Sequence, residues 1–235
     1  NFPIGNLVGM VETDVLSVEL LPGASSALYG ANAFNGILFM RSKSPFDYEG
    51  ISVSIKRGIT SQKASGDNAY TDFGIRAAHK FSDKFAAKVN FGYLKGTDWA
   101  ANNIAGKDDN NFITTDRTRA NDLNYNGVNV YGDDYAGNIK NVALLLEARG
   151  LIPAGANALI PSVEVSRTGY NESDLTNYNA ESIKADWGLY YRPIEDNSLE
   201  LSYVGKVGTG NTIYQGTNRY NIKGFFQEQH KLEIK

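Results

Sequence analysis

From Ile51 onward the chain alternates. Ile51, Val53 and Ile55 are apolar and Ser52, Ser54 and Lys56 between them are polar, the period of two that predicts a strand with one apolar and one polar face. A second run sets Phe73, Ile75, Ala77 and Phe81 against Asp72, Gly74, Arg76 and Lys80. After Ser82, Asp83 and Lys84, a third sets Phe85, Ala87, Val89, Phe91 and Tyr93 against Ala86, Lys88, Asn90 and Gly92. Two such runs joined by so short a turn predict a hairpin. The pattern resumes with Ile183, Ala185, Trp187, Leu189 and Tyr191 against Lys184, Asp186, Gly188 and Tyr190. A short turn at 193–197 follows, and then Leu199, Leu201 and Tyr203 oppose Ser198, Glu200 and Ser202. Leu232 and Ile234, against Lys231, Glu233 and Lys235, read as the beginning of a last strand.

Before Gly50 the pattern is irregular. Residues 15–21 predict a short strand, Pro22 and Gly23 a turn, and 24–30 a single helical turn ended by Gly30. A second strand starts at Gly36, after a tight Asn35-Gly36 turn. The chain therefore divides into 1–49 and 50–235. The connections in the second part alternate in length: short after Phe81 and Arg192, longer at 60–69, 97–180 and 208–226. Within the long stretch, residues 138–150 predict a helix with Ile139, Val142, Leu145 and Leu146 on one face, stopped by Gly150. Strands of ~10 residues, alternating short and long connections, and aromatic residues such as Tyr70, Tyr93, Trp187, Tyr191 and Tyr203 toward strand ends fit an outer-membrane β-barrel. A soluble antiparallel sandwich with one wet face gives the same alternation and stays open on pattern alone.

Composition narrows this. No run of 18 apolar residues occurs, so a bilayer would have to be crossed by a barrel, in which every backbone polar group is paired. The formal charge of −3, with 23 basic and 26 acidic residues interspersed, gives no footprint for nucleic acid. The absence of cysteine excludes disulfides, thiolate metal sites and thiol nucleophiles. The chain opens at Asn1 with no signal-peptide pattern, so the expectation is a mature protein or a fragment of a longer one.

Catalytic and metal signals are weak. Residues 23–27 (GASSA) carry Ala27 where a nucleophile elbow needs glycine. His79 and His230 lack any triad context; His79 has the parity of the apolar face, and His230 is placed near the start of the last strand. Asp108, Asp109, Asp133 and Asp134 offer oxygen ligands without EF-hand spacing and read as solvated loop carboxylates. Residues 208–216 (GTGNTIYQG) lack the lysine of a phosphate loop and read as a connection between strands. The expectation is no enzyme, no cofactor and no metal.

The segment 16–46, LSVELLPGASSALYGANAFNGILFMRSKSPF, is more specific. It resembles the carboxy-terminal part of the plug domain of TonB-dependent outer-membrane receptors, matched at Glu19, Leu21, Gly23, Ser26, Ala27, Leu28, Tyr29, Gly30, Asn35, Gly36 and Lys43. Gly23 and Gly30 would permit turns that a Cβ obstructs, and Leu28 and Tyr29 would bury against the plug sheet. The continuation SPFDYEG and the Asn-rich loops look closest to receptors of Bacteroidota, SusC-like or related. The resemblance implies an all-β transmembrane antiparallel barrel of about 22 strands enclosing an α+β plug. About six of those strands would lie in this chain, after the end of the plug at 1–49 and with a long extracellular loop at about 97–180. It implies residence in the bacterial outer membrane, among its lipids, and active import of a nutrient of the siderophore, oligosaccharide or peptide class. The implied partners are the TonB-ExbB-ExbD energising complex and a surface lipoprotein lid of SusD type. Polar-face residues Asp72, Arg76, Lys88, Lys184, Asp186 and Glu200 would face the lumen. The front of the plug and most of the wall are expected on a larger chain. Two alternatives remain: a non-transporting subunit of an outer-membrane assembly, and a soluble carbohydrate-binding β-sandwich.

Overall fold

A computed structural model describes residues 5–23, 36–63, 66–196, 198–215 and 219–235. The chain is mostly β and forms two compact units, Asn1–Asp98 with Tyr178–Lys235, and Trp99–Asn177.

The first unit opens with a short helix, α1 (Gly5–Val8), and a 3-10 turn, Glu12–Asp14. Strands β1 (Val15–Pro22) and β2 (Gly36–Ser42) pair antiparallel, Leu20 opposite Leu38 and Pro22 opposite Gly36. At Gly36 the backbone has φ +135°, and a Cβ would lie 2.8 Å from the Leu21 carbonyl oxygen, so both conformation and space select glycine. Gly23 differs from the expectation: a Cβ there would touch nothing, and its φ of +96° is what favours glycine.

The main sheet is built from β3 (Gly50–Gln62), β4 (Gly66–Lys80) and β5 (Phe85–Thr97), then β12 (Asn179–Tyr191), β13 (Leu201–Gln215) and β14 (Arg219–Ile234). Its order is β14-β13-β12-β5-β4-β3, antiparallel throughout. It is an open sheet, with β3 and β14 as its edges. The expected hairpin forms at 82–84, where Ser82 Oγ accepts from Lys84 N and Phe85 N at 3.2 and 3.1 Å. Two of the expected long connections do not exist. Strands β3 and β4 are separated only by 63–65, and β13 runs through the glycines and Asn of 208–215 to leave 216–218 before β14. Cross-strand pairing over 13 to 16 residues overrides the turn propensity of Gly, Thr and Asn. The last strand accordingly begins at Arg219, and Leu232 and Ile234 are its end.

Alternation holds across the sheet. Val53, Ile75, Phe91, Ala185 and Val207 stand side by side on five strands, and Ser52, Arg76, Asn90, Asp186 and Lys206 form a neighbouring row on the other face. The apolar rows are the exposed ones: Ile51 is 74% and Ile55 72% accessible. The middle of the polar rows is buried, with Arg76 at 1%, Lys88 at 5% and Asn90 at 1%. This inverts the arrangement of a water-soluble sheet, in which the apolar face is covered.

The second unit contains six short strands. They are β6 (Gly106–Lys107), β7 (Ile113–Thr114), β8 (Val130–Tyr131), β9 (Ala136–Asn138), β10 (Glu164–Ser166) and β11 (Tyr170–Asn171), with helices α2 (Ile139–Ala148) and α3 (Glu172–Leu175). Helix α2 matches the predicted segment and is capped by Asn138, whose side chain accepts from Lys140 N at 3.0 Å. Its predicted apolar face is not a buried one. Val142 and Leu145 are half-exposed, and Ala143 is the buried position.

Candidate functional site

Among the described residues, 7–14 lie over the polar face of the main sheet, beside the end of β2. Two kinds of contact hold them. The first is a seam of glycines on adjacent strands: Gly74, Gly92 and Gly208 stand in one cross-strand row with Lys184. A Cβ on Gly74 would lie 3.2 Å and one on Gly92 3.3 Å from the Val11 methyls, and one on Gly208 would lie 2.1 Å from the Leu7 carbonyl oxygen. Missing side chains thus form the trough in which Leu7 and Val11 are buried.

The second is a buried ion cluster. The 3-10 turn brings the Asp14 carboxylate, 2% exposed, onto the sheet. Arg76 Nε donates to its Oδ1 at 2.8 Å, and Lys88 Nζ donates to both oxygens at 3.0 and 2.7 Å. Lys88 also donates to Ser42 Oγ and, at 2.9 Å, to the Lys43 carbonyl, so one ammonium ties the end of β2 to the turn and to β5. Lys43 Nζ returns a bond to Thr13 O at 2.9 Å. Such a group is stable only because each charge meets partners, since removing one leaves an uncompensated buried charge. Two further cations of the sheet reach the same segment: Lys184 Nζ donates to Met10 O at 3.1 Å and Lys56 to Glu12 Oε2.

The six polar-face candidates separate as follows. Arg76 and Lys88 converge on Asp14, and Lys184 reaches Met10. Asp186 accepts from Asn90 Nδ2 at 2.6 Å, Asp72 accepts from Tyr70 OH at 3.0 Å, and Glu200 accepts from Arg192 Nε at 2.8 Å near the 193–197 turn. Sequence reasoning missed Asp14 and Glu12, and placed Asn90 on the polar face without singling it out. Asp14 lies 62 and 74 positions from its partners, and nothing in VETDV distinguishes it from a solvated acid. Of the motif resembling a plug, Glu19 pairs with Arg41 at 3.4 Å, and Gly23, Gly36 and Lys43 are placed as described above. Ser26, Ala27, Leu28, Tyr29, Gly30 and Asn35 lie outside the described residues, as does most of GASSA.

Other expectations need correction. His230 sits near the end of β14, not its start, with Nδ1 2.7 Å from Tyr203 OH and Nε2 2.8 Å from Glu228. His79 keeps the apolar-face parity, 3.3 Å from Glu49. Asp133 is a buried carboxylate rather than a solvated one: it is 1% exposed and accepts from Gly127 N at 2.7 Å. Asp108 instead closes a local turn by accepting from Asn110 N and Phe112 N at 2.9 Å. Among the described residues no group of three or more His, Cys, Asp or Glu side chains is arranged to hold a metal, and no helix is long and apolar enough to cross a membrane. Comparison with protein-family models, curated proteins and solved structures finds no match.

Proposed function

We propose that the chain is part of the wall of a TonB-dependent outer-membrane transporter, together with the end of its plug, and serves import of a nutrient energised from the inner membrane. The carrying observation is the inverted sheet: charged side chains buried beneath residues 7–14, and an apolar opposite face left exposed. A soluble sandwich would require the reverse. The apolar face also covers most of the height of a barrel's apolar band. From the row of Phe85, Tyr191 and Leu201 to that of Ile55, Phe73, Tyr93 and Ile183, outward positions span eight residues, or ~27 Å along a strand. At barrel tilt this is about 20 Å of depth, against an apolar band of about 25 Å. The next outward row, Arg57, Thr71, Lys95, Glu181 and Asn211, is polar on all five strands. The open edges at β3 and β14 are consistent with a wall completed by further strands.

In this reading Asp14 and the glycine seam are the seat of the plug, the polar sheet face lines the lumen, and Trp99–Asn177 is an extracellular excursion. Lipid and the TonB-ExbB-ExbD complex are the implied partners. The test is growth and uptake in cells lacking the protein, on siderophores, oligosaccharides and peptides as sole iron or carbon source. Loss of growth on one class, reproduced by loss of TonB, is expected; a protein extracted without detergent would sink the reading.

A further inference from the structure

The segment over the wall is also its counter-charge. Four cations from four neighbouring strands, Lys56 on β3, Arg76 on β4, Lys88 on β5 and Lys184 on β12, each have a partner within residues 10–14. The partners are the Glu12 and Asp14 carboxylates and the Met10 carbonyl oxygen; the segment contributes no cationic side chain of its own there. The contacts therefore match an anion to a cationic strip, held at a spacing fixed by the sheet. Once the segment has left, the four cations face only the two carboxylates the sheet itself carries among them, Asp72 opposite Lys56 and Asp186. Where its members are buried, such an excess of positive charge attracts anions more strongly than the same charges would in water.

Resting on the transporter reading above, we propose that residues 10–14 occupy a cationic strip formed by Lys56, Arg76, Lys88 and Lys184, and that the solute admitted when they move carries carboxylate, phosphate or sulfate groups. The segment then acts as a resident anion that the passing solute replaces, so the buried charges are compensated in both the closed and the open wall. Lys184 is the position best suited to receive a solute first, because its partner is a neutral carbonyl and not a carboxylate.

Two changes displace the segment by independent routes. Asp14→Asn removes its main charge, whereas Gly208→Ala drives a methyl against the Leu7 carbonyl and leaves every ion pair chemically intact. The full-length transporter carrying either is reconstituted into liposomes loaded with two dyes of equal size, one anionic and one cationic. Wild type is expected to retain both. Each variant is expected to release the anionic dye several-fold faster, with the ratio returning to near parity in molar salt or after adding Lys56→Gln and Lys184→Gln. Glu12→Gln, at an exposed position, gives the same preference at smaller flux and provides the readout should the two buried changes prevent folding. Equal release, faster release of the cationic dye, or liposomes that stay tight to both overturns the anion strip while leaving a transporter in place. Protein that remains in the aqueous phase and never joins the liposomes overturns the transporter reading itself.

Discussion

Asp14 holds two cations at once, and its removal has a larger effect than any exposed pair on this surface. Asp14→Ala leaves Arg76 and Lys88 buried without a carboxylate, an expected loss of about 3–5 kcal/mol. Lys56→Ala breaks an exposed pair and is expected to lose at most about 1 kcal/mol. Urea unfolding of the two variants in the same detergent separates these outcomes, and equal losses would mean that the cluster is not the anchor of the segment. In the second unit, Glu147 accepts from Gly155 N at 2.8 Å, from Asn157 Nδ2 and from Asn157 N at 3.2 Å. The backbone N–H of Gly155, then the Asn157 donors, hold its carboxyl below the ordinary glutamate range. A depressed carboxyl stabilises the fold above its unfolded value and loses that contribution as pH falls through the folded one. The turn at 155–157 is therefore expected to be protected from proteolysis at pH 7 and to open progressively below about pH 4.3. Glu147→Gln should open it already at neutral pH.

Among the elements, five of the six long strands were legible, and β14 only at its last residues, because a period of two needs only neighbouring residues to be read, and Ile51 to Ile55 or Phe85 to Tyr93 carry it without interruption. Strand ends were not. Residues 208–215 have the composition of a loop, yet Gly208 is there because the Leu7 carbonyl, and Gly210 because the Glu181 carbonyl, lies too close for any side chain. The signals for those glycines lie upstream, at Leu7 and at Glu181 on the neighbouring strand, and are invisible locally. Helix α2 was legible from its spacing and its Gly150 stop, but burial of its face is a property of the surroundings and not of the spacing. Asn138→Ala removes its cap and is expected to destabilise the second unit by about 1 kcal/mol, measurable by thermal melting. For the sheet, Val89→Lys places a charge in the middle outward row, and about 2–4 kcal/mol is expected to be lost in bilayers. The same change in a soluble sandwich would be nearly neutral at a half-exposed site, so the sign and size of this one variant discriminate between the architectures.

For the whole molecule, the attachment of residues 7–14 has a mechanical meaning. Their contacts follow the order of the chain: Leu7 on Gly208, Met10 on Lys184, Val11 between Gly74 and Gly92, Glu12 on Lys56, Thr13 on Lys43 and Asp14 on Arg76 and Lys88. A pull on the amino-terminal side loads them one after another, as a strip of tape is peeled, and the force needed at any moment is that of a single contact. A pull through the β2 side meets Ser42 and Lys43 first, where Lys88 binds both and Asp14 together. Several bonds must then shear at once. The seat should therefore be weak toward one handle and strong toward the other, and single-molecule stretching of the intact chain from the two ends should record a low, stepwise force in the first direction and one higher peak in the second.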